Sequence, residues 1–526
     1  LRDNVSGSSN SAFGRSALIS NLSGSSNTAI GRYASFSNTT GYSNVSIGAY
    51  ALEKNTVRSN IVAVGDSSLL NNGVGASQPD HGRFNTAVGS KTLYTNNVGF
   101  GNSAFGFESM KINTSGVNNT GVGYRALYNN TDGGANSAFG KFSMYNNSSG
   151  DFNTSTGYEA LFKNTVGHQN SAFGWSAMEE NISGSNNTAF GGKALNKNKI
   201  RNNLVAFGYE ALYNNATTTT FTDAGTANTG IGYQALYGNN TGYQNTGVGY
   251  QAIQANTSGT GNTALGYKAL NQSLTSSNTA IGHLALSGIT SSGGITALGY
   301  AAQSGSSGGN NTAIGNFASG GSGSQNTAVG SDASVSNGLS NSTALGYLTV
   351  CNGSNQVRIG NSSVVSIGGQ VGWTTLSDGR FKSNIEGNVP GLSFINALRP
   401  VTYILNTNKI NDRLGIDKDK LDTNSSQERK LQSGFIAQEV EATAKRLGYH
   451  FSGVDAPTSE NGFYGLRYAE FTVPLVKAVQ ELTQKNDQLE KEIESIKEEN
   501  RNLKVLLDEI AVLKNRLEKL EAEADQ

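Results

Sequence analysis

A five-residue core, Asn-[Ser/Thr]-Ala-x-Gly, recurs along most of this 526-residue chain, as in "NSAFG" (10–14), "NTAIG" (27–31), "NTAVG" (85–89) and "NTALG" (262–266). Its terminal glycine, or that of a looser copy, falls at 14, 31, 48, 65, 89, 106, 123, 140, 157, 174, 191, 208, 232, 249, 266, 282, 299, 315, 330, 346 and 360. Most steps are 17 residues, two are 24, and the last few mostly shrink to between 14 and 16. Such a period marks a solenoid, in which one repeat cannot bury its apolar face alone and stacks on the next. After the glycine comes a second small motif, seen in "GYRAL", "GYEAL", "GYQAL" and "GYKAL", and then an Asn-rich connection such as "YNNTDG". Each repeat thus predicts two short strands joined at a glycine corner and closed by a polar loop, one rung of a parallel β-solenoid.

The residue types suit that geometry. Ala, Val, Ile, Phe and Leu at fixed rung positions stack into a narrow core while each backbone pairs with the rungs above and below. Glycine tolerates a positive φ at the corner. The recurrent Asn before each strand can bond the loop backbone and its own copy in the next rung. Only Pro79 interrupts residues 1 to 376, as expected where ladders need the backbone N–H groups. With 67 glycines, 14% charged residues and formal charges that cancel, the chain resembles neither a nucleic-acid binder nor an ordinary globular enzyme. Composition alone also suits a disordered Gly/Ser/Asn tract, but seven consecutive steps of 17 argue against one.

Two seven-residue insertions, within "GVGASQPDHGRF" (73–84) and "ATTTTFTDAGTA" (216–227), lie on rungs whose core continues, so they are expected to project as surface loops. Both receptor contact and simple loop drift fit them. Cys351 is the only cysteine, and His81, His168, His283 and His450 are far apart, so no disulfide framework, metal site or cofactor is expected. No apolar run approaches a membrane span and no signal peptide is visible. Residue 1 falls inside a repeat, which implies that the natural N-terminus, with any export signal, precedes it.

Residues 1 to about 350 resemble the head repeats of trimeric autotransporter adhesins, whose "NxxAxG" rungs form left-handed parallel β-rolls packed as trimers. The period here is longer, which implies bigger loops. The expected architecture is mainly β: a trimeric parallel β-solenoid fibre over 1–350, a connector over 351–376, a small α+β domain over 377–473, and a C-terminal helix and trimeric coiled coil over 474–526.

Beyond residue 377 the composition changes, and four of the five prolines fall there. "LSFINALRPVTYIL" predicts a short helix ending before Pro400 and then a strand. "SGFIAQEVEATAKRLGY" predicts a strand followed by a helix with Val440, Ala444 and Leu447 on one face, ended by Gly448. "FTVPLVKAVQEL" opens the last helix, with Pro474 in its first turn. Leu482, Leu489, Ile496, Leu503, Ile510 and Leu517 recur every seven residues, as in a coiled coil. Their companions change from Ile493 to Leu506, Leu513 and Leu520, a register adjustment near 500, and Asn486 and Asn500 occupy early seam positions. The heptad pattern alone leaves the number of strands open.

At the boundary between the two regions stands "TTLSDGRFKSNI" (374–385). Alone, Ser-Asp-Gly reads as a turn. Followed by "ALRPVTY", "GFIAQEVE" and "YGLRYAEFTVPLVKAVQEL", it resembles the endosialidase-type intramolecular chaperone, a self-cleaving serine-lysine peptidase domain at the C-terminus of phage tail fibres and tailspikes. That resemblance covers about 355 to 526. It implies a motif S-D-x-R-x-K matched by Ser377, Asp378, Arg380 and Lys382, with cleavage between Leu376 and Ser377 and release of a trimeric chaperone. A hydroxyl is a weak nucleophile that needs a base, and a neutral Lys382 would serve Ser377. Gly379 is expected to help the chain curl so that positions five apart converge, with Asp378 and Arg380 as positioning groups.

The functional expectation is a self-processing homotrimeric fibre that binds a host-cell or other surface receptor, a glycan included, on a virion tail or a cell surface. The competing expectation is a bacterial surface adhesin with a permanently retained C-terminal cap. A solenoid glycan hydrolase is a third, disfavoured because no paired carboxylates stand out among the rungs. Autotransporters end in a membrane-anchor barrel segment, whereas "KLEAEADQ" follows a coiled coil, which favours the phage-like version. Neither nucleic acid nor membrane insertion is expected.

Overall fold

Each glycine that the repeat locates, from Gly14 to Gly360, directly follows a three-residue strand, from Ser11–Phe13 to Val357–Ile359. The computed structural model describes residues 1–216, 223–305, 307–417, 420, 430–458 and 462–524. It divides into two units, Leu1–Asn361 and Ser362–Gln526. In the first, the strands form one 21-stranded parallel sheet. Register holds residue for residue between successive repeats: Thr120, Gly121 and Val122 lie beside Ser137, Ala138 and Phe139.

The corner glycine is required on two counts. Gly123 has φ of 134°, a region closed to L side chains. A Cβ there would also lie 2.6 Å from the carbonyl oxygen of Gly140 in the next rung. The glycines stack because the corners do.

Among the described residues, the second strand expected in each rung forms only near the end of the solenoid, where Ser334–Val335 pairs in parallel with Val350–Cys351. "GYRAL" does not form a strand; it runs as a chain of turns in which Arg125 and Leu127 have φ of 53° and 51°. The reason lies in the core. Ala126 and Leu127 are consecutive and both fully buried, whereas a strand sends consecutive side chains to opposite faces. Left-handed residues on either side of Ala126 let both enter. Interrung bonding survives: Arg125 N–H donates to the Phe107 carbonyl and Leu127 N–H to the Ser143 carbonyl, each at 3.0 Å.

Asparagine supplies two buried ladders rather than one. Before the strands, Asn119 Nδ2 donates to the Gly133 carbonyl at 2.8 Å, and its Oδ1 accepts the Asn136 N–H at 2.9 Å. In the connections, Asn130 Nδ2 bonds Asn113 Oδ1 and the Gly133 carbonyl, both at 2.8 Å. These amides are fully buried, and pairing along the stack offsets the cost of taking them out of water.

The solenoid also runs past the boundary at 350 drawn from the sequence. Val357, Arg358 and Ile359 pair with Thr343, Ala344 and Leu345; Ile359 keeps the apolar third position although Arg358 stands where alanine is usual. The first insertion does project, with Ala76 to His81 mostly exposed. Arg58 holds it by donating to the carbonyls of Ala76, Gln78 and Pro79, each at 3.1 Å. The centre of the second insertion, 217–222, lies outside the described residues.

The second unit is a small α+β region followed by one long helix. Helix α1 (Leu392–Ile395) precedes an antiparallel pair, Val401–Ile404 with Leu431–Gly434. Helix α2 (Thr407–Leu414), capped by Asn406 and ended by a left-handed Gly415, was not expected. Helix α3 (Ala437–Arg446) buries Val440 and Ala444. Leu447, expected on that face, is instead the C-cap and 39% exposed, because the helix stops one residue earlier. Phe394, Val440, Ala444 and Phe471 form the core, with Phe435, Tyr449 and Phe451 packed around it. Helix α4 spans Thr472–Ala524 with Pro474 in its first turn, where no N–H is missed. All six heptad residues from Leu482 to Leu517 are exposed in the single chain, the form of a coiled-coil strand seen alone. Among the described residues no helix is long and apolar enough to cross a membrane.

Candidate active site

The segment 374–382 is short, polar and open, so its geometry is made locally. Asp378 is extended (φ −72°, ψ 125°) and caps a single 3-10 turn, Gly379–Phe381, its carboxylate accepting the Arg380 N–H at 2.9 Å. The turn closes with Lys382 N–H donating to the Gly379 carbonyl at 3.2 Å. That curl carries the Lys382 side chain back over the chain, and its Nζ donates to Ser377 Oγ at 2.8 Å.

Asp378 and Arg380 meet each other rather than the dyad. Arg380 Nε lies 3.1 and 3.0 Å from the two carboxylate oxygens, and a second guanidinium nitrogen completes the fork. The Arg380 side chain, then its backbone N–H, hold the Asp378 carboxyl below the usual carboxylate range. In return Asp378 raises the guanidinium. Gly379 plays a smaller part than expected: its φ is not left-handed, and a Cβ there would meet nothing within 4 Å. The cap and the turn, not glycine's freedom, bring Ser377 and Lys382 together.

Everything here faces water. Leu376 is 79% exposed, and Ser377 and Lys382 are exposed too. A cleft of about 690 Å³ in this unit lies away from the dyad, between α1 and α4, against Leu392, Asn396 and Glu481. Glu481 was missed in the sequence, and it caps α1 by accepting the Leu392 N–H at 2.8 Å. Only the lack of a Ser, Thr, Asn or Asp before α1 could have pointed to a remote cap. Tyr468 was missed likewise; its hydroxyl accepts the Phe435 N–H at 3.2 Å.

Residues 377–449 match the family model described as chaperone of endosialidase. The match begins at the serine of the dyad. A chaperone-of-endosialidase domain therefore follows the solenoid, and its matched stretch includes Ser377, Asp378, Arg380, Lys382, α1 to α3 and the antiparallel pair. No curated protein matches the chain. Among the described residues, no group of three or more His, Cys, Asp or Glu is placed to hold a metal ion.

Proposed function

We propose that the chain is one subunit of a homotrimeric fibre that attaches to a host or other surface. Its chaperone-of-endosialidase domain aligns the three chains and is then released by autoproteolysis between Leu376 and Ser377. The observation that carries the reaction is the 2.8 Å bond between Lys382 Nζ and Ser377 Oγ. A neutral Lys382 takes the hydroxyl proton as Oγ attacks the Leu376 carbonyl carbon. The peptide C–N bond breaks as Lys382 returns that proton to the Ser377 nitrogen, which leaves as the amine, and Leu376 becomes an ester on Oγ. Water then hydrolyses the ester to a carboxylate and restores the hydroxyl. The scissile bond is already covalently in place, so the reaction needs no substrate pocket.

The need for such a domain follows from the solenoid. Twenty-one near-identical strands can pair between chains out of register, and non-local β assembly is slow. A C-terminal coiled coil raises the local concentration of the chains and sets a common start. Release of the chaperone then leaves the fibre kinetically trapped.

An amine accepts a proton only when neutral, and exclusion of water favours that form. In the single chain the dyad is open to solvent, and this is the observation that favours the second reading, a fibre that keeps its cap. Intact mass of freshly expressed protein beside Ser377→Ala separates the two. A wild-type split after Leu376 that the variant lacks supports autoproteolysis; a wild type that stays whole while forming stable trimers overturns it.

A further inference from the structure

One of the two outward columns of the sheet is apolar along nearly its full length. In each three-residue strand between the terminal two the middle side chain is buried in the core and the first and third point out. The third residue is apolar at every rung except that of Thr156, and the first is Ser, Thr or Val throughout. No charged residue occurs at either outward position. The third residues are substantially exposed even where they stack on one another. Phe190 and Phe207 have ring centroids 4.7 Å apart, yet are 48% and 51% exposed. Beside this stripe, just past the glycine corner, runs a stacked aromatic column; Tyr233, Tyr250, Tyr267 and His283 follow one another at 4.8 to 5.2 Å.

A soluble monomer rarely leaves a continuous apolar stripe uncovered. Depletion of charge with enrichment of aromatics is the composition of an interface centre. Rungs about 4.8 Å apart make a 21-stranded sheet roughly 100 Å long, and a face about 10 Å wide then offers on the order of 1,000 Å² per chain. A standard stable interface buries about 800 Å² per partner.

We infer that this stripe is the surface by which copies of this chain pack against one another in the fibre. The occupant is a second copy because the stripe repeats with the rung, and a partner covering its whole length must carry the same spacing in the same direction. Two irregular steps of 24 residues leave the strand register unbroken, at Val62 to Thr86 and at Val205 to Thr229. Their extra residues go into the connections, so the outward face keeps its spacing.

This inference rests on the homotrimer reading and adds the face through which the trimer forms. The test uses the full chain with single cysteines added on the stripe, Val248→Cys or Leu265→Cys, and one in an Asn-rich connection, Val166→Cys, which is 44% exposed. Native Cys351 is buried and serves as the silent background. Mass is read by light scattering, and proximity by a short bismaleimide on denaturing gels. The expected result is an assembled chain in which both stripe cysteines cross-link between copies and Val166→Cys does not. An assembled chain that cross-links only through Val166→Cys, or not through the stripe, overturns the interface and leaves the homotrimer standing. A wild-type chain of monomer mass overturns both.

Discussion

The Nζ of Lys382 lies 2.8 Å from the Oγ of Ser377, five residues earlier in the chain. Among the described residues, no distant element is hydrogen-bonded to either side chain. One capped turn brings them together, and the predictions for the reaction follow from that local construction.

Lys382→Arg keeps a cation beside the hydroxyl, but a guanidinium does not give up its proton. Cleavage after Leu376, followed by intact mass over time, should fall at least a hundredfold, the usual minimum for loss of a general base, while assembly is unchanged. Cleavage at the wild-type rate would remove Lys382 from the mechanism.

Asp378→Ala should slow cleavage without abolishing it. Losing the N-cap should thin the population of the curled turn by roughly fivefold. Asp378→Asn keeps the cap acceptor and should be closer to wild type.

The pair of Asp378 and Arg380 also predicts a pH dependence. Arg380 depresses the Asp378 carboxyl, so the order it lends the turn is complete above the ordinary carboxylate range and is lost as pH falls through the depressed value. Carbon NMR of the Asp378 carboxyl should show titration below the ordinary range. Titration at the usual position would mean that the pair is not held in solution.

Two glycines should respond oppositely to alanine. Gly123→Ala forces a side chain into a positive φ and against the Gly140 carbonyl, costing about 3 kcal/mol or more and visible as a lower Tm or insoluble protein. Gly379→Ala meets open space and should leave both stability and cleavage within about twofold.

Asn119→Ala removes a buried amide that serves two rungs, leaving the Asn136 N–H without its acceptor and the Gly133 carbonyl with Asn130 Nδ2. Loss of about 2–4 kcal/mol is expected, read as a lower denaturation midpoint with the oligomer mass retained below it. A change under about 0.5 kcal/mol would mean that water replaces the amide.

The rungs were legible because in a solenoid spatial neighbours stand a fixed distance apart in sequence, so tertiary contact is written as period. Every glycine the repeat located follows a strand, and the ladder from Asn102 to Asn119 spans the same 17 residues. The heptad from Leu482 to Leu517 and the order of serine and lysine in the dyad were local in the same sense. What the period did not contain was the path between its marks. Ala126 and Leu127 both point inward only because the backbone turns left-handed around them, a conformation that "GYRAL" does not announce. The chaperone domain has no period at all. Phe394 packs on Phe451 and Tyr449, and α1 takes its cap from Glu481. Such contacts join parts of the chain far apart in sequence at no regular interval, so only the closed tertiary structure could decide them.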